Sequence, residues 1–293
     1  MSRTIPKFLT SFVVLAVVAL VLVTWLVSSQ SGGLPPALPS PNGYETLLKA
    51  ANMLKEGGDY ATMSEAAMRA ALTNDAEALN EAKIALKQES RVIVDYSPAS
   101  SRHIEALSRM KRLAQVFVAQ GRVAKMDRQP RAGAHAYLDV IRLGHQLERG
   151  GTIIDSMVAV AVEALGCSAL EKLSLQLNAE ECREIAAALE AAETRRESIQ
   201  AILAQEKAWA RRAYGFTGVF TRLLTFKQLK AGEQRWAAKR TSQQVRTQRL
   251  LIKLASRAYE LENGESPKNV SDLVPGYLKT AGSEPLPQLS PKP

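Results

Sequence analysis

The chain has little of what usually carries chemistry. Two cysteines and three histidines in 293 residues leave no Cys-x-x-Cys and no His-Glu-x-x-His pair, which sets aside the common dithiol and zinc sites. No Gly-x-Ser-x-Gly elbow and no phosphate-cradling glycine loop occur either. Aromatic residues make up only 5% of the chain. Proline is nearly missing from the middle: between Asn42 and Ser266 only Pro98 and Pro130 stand. No stretch alternates apolar and polar residues long enough to form a sheet strand. These shortages exclude a disulfide-stapled miniprotein, a collagen-like or low-complexity chain and a polytopic transporter. They leave an all-α reading with no assigned catalytic, cofactor-binding or metal-binding residue.

What is present begins with an uncharged run. Residues 8–27 contain only Thr10, Ser11 and Thr24 as polar members. Twenty helical residues span about 30 Å, the thickness of a bilayer's hydrocarbon layer. Arg3 and Lys7 precede the run and no basic residue follows until Lys49. That asymmetry predicts a transmembrane anchor with residues 1–7 in the cytoplasm and the rest periplasmic or otherwise extracytoplasmic. A cleaved signal peptide is the rival reading, with small residues at Val27-Ser28-Ser29, but its apolar core would be shorter.

Proline and glycine then divide the chain. Pro35, Pro36, Pro39 and Pro41 mark residues 28–42 as a linker. Residues 43–263 read as a helical ectodomain, residues 264–281 as a C-terminal clasp and residues 282–293 as a disordered tail. Within the ectodomain, Asn74 with Glu77 and Asn178 with Glu181 have capping-box spacing. One helix is expected to reach about Val94, another to run from Asn178 to about Arg212, and a Gly/aromatic stretch over 215–226 to interrupt the helices. Residues 153–175 are the most apolar and are expected to form the central helix. An irregular multi-helix bundle is the favoured architecture, and a TPR-like solenoid of helical hairpins the alternative.

Candidate chemistry is sparse. His135 and His145 share a helix but lie about 15 Å apart along it, too far to ligate one ion. Cys167 and Cys182 flank a turn at unequal distances, an offset that strains a bridge and favours two buried free thiols. Glu190, Glu193 and Glu197, with Arg195 and Arg196, read as a solvated face. Asp155 and Glu163 sit in the most apolar helix and need partners if buried. They are the residues on which an enzymatic cleft would rest. An apolar ligand pocket between helices is a third possibility.

Charge is the one strong bias. Residues 207–257 hold thirteen Lys/Arg and one acid, so this stretch carries the whole positive balance of a chain with net charge +9. Arg235, Lys239, Arg246, Arg249, Lys253 and Arg257 project within about 80° of one another on a helix. They form a row about 30 Å long, flanked by Leu250, Leu251, Leu254, Ala258 and Leu261. The row is a candidate interaction surface for an acidic protein partner or anionic lipid. Nucleic acid is not expected in that compartment. The function these features favour is a membrane-anchored, non-enzymatic scaffolding or interaction protein.

The run from Leu250 through Ala258-Tyr259-Glu260-Leu261-Glu262-Asn263-Gly264 to Pro267, followed by Leu273-Val274-Pro275-Gly276-Tyr277-Leu278, resembles the ending of an uncharacterised, planctomycete-type family of single-pass membrane-anchored helical proteins. Asn42-Gly43-Tyr44 and the stretch from Arg142-Leu143-Gly144 to Gly150-Gly151 also resemble that family. Ala258-Tyr259 with Asn263-Gly264 and Pro267 is more distantly similar to type II secretion pseudopilins. The resemblance implies a helical ectodomain on one anchor and supplies no activity. Read physically, Asn263-Gly264 stops the last helix. Ser271 is expected to cap a short turn. Tyr259, Leu261, Leu273, Val274 and Tyr277 are expected to fold back as one apolar cluster.

Overall fold

The computed structural model describes residues 37–55, 59–60, 62–97, 101–224 and 226–280, with side chains at 215–227 left aside. The anchor at 8–27, most of the linker and the tail at 282–293 lie outside the described residues. Those described form nine α-helices and no strand: α1 Gly43–Met53, α2 Glu65–Asn74, α3 Ala76–Ala85, α4 Ser101–Met126, α5 Pro130–Glu148, α6 Ile153–Leu173, α7 Ala179–Glu193, α8 Ile199–Leu224 and α9 Phe226–Asn263.

Local chemistry explains most of the helix ends. Asn42 accepts the amide of Tyr44 to start α1, and its side chain also exchanges two 2.9 Å bonds with the backbone of Arg91. Gly43 is required beside it, because a Cβ there would lie 2.8 Å from the carbonyl of Ala85. The Asn-Gly-Tyr triplet thus ties the start of α1 to the segment after α3. Reciprocal capping boxes open α6 (Thr152 with Asp155) and α7 (Asn178 with Glu181). Gly150 and Gly264 take left-handed φ values of 70° and 76°, which side-chain-bearing residues adopt at a cost.

Several expectations need correction. Asn74 ends α2 rather than capping α3; Asp75 occupies the cap, and its carboxylate instead takes the amide of Lys55 and the hydroxyl of Tyr60. Residues 86–95 do not continue the helix to Val94, because Val92 donates to the carbonyl of Arg149 and Arg91 is held by Asn42. The helix from Asn178 breaks after Glu193 and restarts at Ile199, while Gly215 lies inside α8 rather than in an interruption. The short turn after Pro267 is capped by Asn269 and Asp272, not Ser271.

The most extensive packing joins α5 to α6, followed by α4 to α5. The α5–α6 crossing is close because glycines meet it from both sides. A Cβ on Gly144 would sit 3.0 Å from the carbonyl of Ala159, and one on Gly166 would sit 2.8 Å from that of Tyr137. One apolar core gathers Tyr44, Leu47, Met68, Met110, Phe117 and Leu143 from α1, α2, α4 and α5. A second joins α5, α6, α7 and α9 through Ile141, Leu170, Ile185, Leu189, Leu250 and Leu254. Leu273 and Leu278 fold back on Ile252 and Ala255, with the Tyr259 and Tyr277 rings 5.5 Å apart. Leu261, expected in that cluster, is instead exposed.

Among the described residues, one helix is long and apolar enough to cross a membrane by length and composition, over Ile153–Gln176. Less than half of it is buried. Its inward face meets α5 and α9, and its outward face carries Ile154, Met157 and Leu165 in the open.

Candidate functional site

The interior holds a charged network that the crossing of α5 and α6 positions. Glu148 and His145 sit on the last turn of α5, Ser156 and Glu163 on α6, Glu193 at the end of α7, Arg196 in the turn that follows and Arg240 on α9. Arg240 is 2% exposed and donates to Glu148 through Nε at 3.1 Å and Nη2 at 2.9 Å. It also donates to the carbonyl of Glu197. The indole of Trp236 donates to Ser156, whose hydroxyl donates in turn to Glu148 at 3.2 Å. Arg196 donates to both oxygens of Glu163 and of Glu193. Thr247 adds a 2.5 Å bond to Glu163. Breaking one partner of such a buried pair strands the other charge, at a cost of about 3–5 kcal/mol.

His145 completes the balance. Its Nε2 lies 3.2 Å from Glu193 and 3.0 Å from Nη2 of Arg196. A guanidinium only donates, so this nitrogen cannot serve both neighbours. Burial pulls the imidazole pKa down, but the carboxylates of Glu163 and Glu193, 3.8 and 3.2 Å from Nε2, outweigh burial and Arg196 and raise it to about 9. With His145 protonated, three acids (Glu148, Glu163, Glu193) face three cations (Arg196, Arg240, His145). Burial likewise pushes the Glu163 carboxyl up, yet His145 and Arg196 hold it well below the usual carboxylate range. The Nδ1 atom of His145 is buried without a hydrogen-bond partner.

Ligand atoms of His145, Glu163 and Glu193 come within 4.8 Å of one another, a spacing a metal ion could use. The guanidinium of Arg196 already bridges the two carboxylates, so the cation such a cluster needs is supplied by the protein itself. The arrangement suits a structural charge lock, not acid/base turnover. Asp155 is also fully buried and committed. Its Oδ2 takes the amide and hydroxyl of Thr152, and its Oδ1 lies 2.9 Å from Nε2 of His103, at an ion-pair distance but outside good hydrogen-bond angles. The Asp155 carboxylate beside it outweighs burial at His103 and raises its pKa.

Sequence reasoning singled out Asp155 and Glu163 correctly as needing partners, misread Arg196 as solvated and missed Glu148 and Arg240. Glu190, Glu193 and Glu197 are not a solvated face. Glu190 is buried and takes the amides of Lys279 and Thr280; Glu193 belongs to the lock; Glu197 accepts the amide of Gly150. A signal for Arg240 was available. Trp236, Arg240, Gln243, Thr247, Leu250 and Leu254 recur at three and four along α9, so Arg240 stands on the helix's inward stripe. Cys167 and Cys182 are both free and buried. Burial pushes their thiols up, to about 12 and about 11.

The basic row lies on the neighbouring face of α9, about 100° around the helix from that inward stripe. Arg235, Lys239, Arg246 and Arg249 are exposed, whereas Lys253 and Arg257 are half-buried. Arg246 and Lys253 approach Glu171 at 3.9 and 3.4 Å, and Arg257 approaches Glu260 at 3.8 Å. Lys239 forms no ion pair or hydrogen bond among the described residues.

A groove of about 1530 Å³ opens beside the row. Its floor is the outward face of α6, with Ile154, Met157 and Val160, and its walls come from α8, α9, Val94, Asp95, Ser97 and the start of α4 at Ser101, His103 and Ile104. Trp209 donates to the carbonyl of Asp95 at 2.8 Å and stacks edge-on against Tyr214, which fixes one wall. Trp236, anchored on Ser156, joins the groove to the charge lock beneath it.

No family model, no curated protein and no solved structure matches this chain.

Proposed function

We propose that the protein is a non-enzymatic interaction module, an irregular helical bundle held at a membrane by the N-terminal apolar segment. Its contact surface is the four exposed residues of the basic row, and its partner carries negative charge. The observation that supports this is the exposure of Arg235, Lys239, Arg246 and Arg249 along one face of a single helix. The carboxylates on which an enzymatic reading rested are, by contrast, buried and paired.

The test is crosslinking in cells followed by affinity capture, on the native chain and on a variant with those four residues changed to Gln. Capture of a stoichiometric partner, lost in the variant and weakened by added salt, is the expected result. Equal capture from both chains would remove the row from consideration.

A further inference from the structure

The groove asks for its own explanation. Exposed large apolar side chains scattered singly are ordinary, but here Ile104, Ile154, Met157, Tyr214 and Leu229 from four separate segments line one concavity. Contiguous apolar patches of this kind mark binding sites. The volume exceeds the 300–1,000 Å³ usual for a compact small-molecule pocket, and the floor is elongated. From Ile154 to Ala164, ten residues of α6 present about 15 Å of it. A long, flexible, apolar ligand fits this shape better than a compact one.

The polar groups on the lining narrow the ligand further. Glu206 is spent on the amide of Ile153 at 3.0 Å. Asp95 takes the amide and hydroxyl of Ser97 at 2.9 and 2.6 Å. His103 is held by Asp155. Arg235 bonds its own helix through the carbonyl of Ala231 at 3.3 Å. Lys239 alone combines exposure, a place on the lining and the lack of a partner among the described residues. Arg235 spends only Nε on that carbonyl and keeps its charge, so two cations, Lys239 and Arg235, stand against the acids of the lining, a balance that suits one negative charge. The three acids of the lining, Asp95, Glu206 and Glu233, disfavour a head group with more.

We propose that the groove binds a long-chain fatty acid, its chain along α6 over Met157 and its carboxylate at Lys239. This goes beyond the interaction surface proposed above: it names a small-molecule site whose occupancy does not require the protein partner. Affinity would rise about fourfold per added methylene while the chain still lies within the groove.

The test uses the full chain in its membrane with a photoreactive sixteen-carbon fatty acid, the matching alcohol and a photoreactive anionic phospholipid. Crosslinked peptides are then mapped by mass spectrometry. The expected result is labelling of α6 and α9 by the acid, competed by unlabelled fatty acids in order of chain length. Met157→Trp should abolish that labelling, and Lys239→Gln should lower it about tenfold for the acid while leaving the alcohol unchanged. Leu165→Trp, on α6 but off the groove, and Arg249→Gln, on the row but off the groove, should not alter it. Circular dichroism of each variant separates a filled groove from a lost fold, and Lys239→Gln on the surface keeps the test open if Met157→Trp does not fold. Labelling by the phospholipid alone would overturn the fatty-acid assignment. Equal labelling by acid and alcohol would overturn the role of Lys239, and no labelling of α6 or α9 would overturn the site.

Discussion

His145 shows how one side chain sets a property of the whole interior. In an unfolded chain its pKa is near 6.5; in the folded protein, the neighbouring carboxylates of Glu163 and Glu193 raise it to about 9. A group raised on folding contributes stability that is complete below its unfolded pKa and lost as pH climbs through its folded pKa. The contribution from a change of this size is about 3 kcal/mol. Denaturant unfolding of the full chain, followed by circular dichroism, should therefore show stability at pH 6.5 that declines towards pH 10. His145→Gln should start lower and change far less over that window. A variant that retained the full decline would place its origin elsewhere. None of this was visible from the histidine itself. A lone imidazole on a helix gives no hint of its neighbours, and these arrive from two other helices.

Helix ends and helix faces differed in how openly the sequence displays them. Ends written in local chemistry could be read, such as Asn178 with Glu181 and the left-handed Gly264. Ends imposed by distant partners could not. Residues 86–95 have no breaker until Pro98, yet Asn42 and Arg149 claim their backbone amides. The break after Glu193 likewise contains neither proline nor glycine, and Arg196 within it is drawn into the lock. The buried face of α9 was half legible, because the row occupied attention while Arg240 stood on the inward stripe. Glycines test the same distinction between local and distant causes. Gly166→Ala gains helix propensity of up to about 1 kcal/mol but drives a Cβ to 2.8 Å from the Tyr137 carbonyl, a backbone atom that cannot swing aside. Overpacking of that kind costs about 1–3 kcal/mol, so thermal unfolding should show a net loss. Gly232→Ala in α9 meets nothing within 4 Å and should gain by up to about 1 kcal/mol. The same sign for both changes would mean that the α5–α6 crossing is looser than its geometry.

At the scale of the molecule, the charge lock, the groove and the basic row are stacked through α6 and α9. Ser156 holds Trp236, Trp236 lines the groove, and Lys239 lies one turn along from it. The uneven charge of the chain also separates by depth, with the inward Arg240 neutralised by Glu148 and Arg235, Lys239, Arg246 and Arg249 exposed at the surface. Such an exposed cationic face has its expected role only if it lies on the side of the membrane that the flanking charges of the apolar segment imply. The native cysteines make that testable. Both thiols are buried and their pKa values are raised, so they stay protonated and unreactive towards maleimide at neutral pH. Ser242 on α9 is exposed, and Ser242→Cys places a single reactive thiol beside the row. On the proposed topology, in which Arg3 and Lys7 stay inside, a membrane-impermeant maleimide should label this variant in intact spheroplasts of a bacterial host and leave the native chain unlabelled. Labelling only after permeabilisation would invert the topology. It would turn the row towards the cytoplasm, where acidic lipids of the inner leaflet and nucleic acid both become reachable.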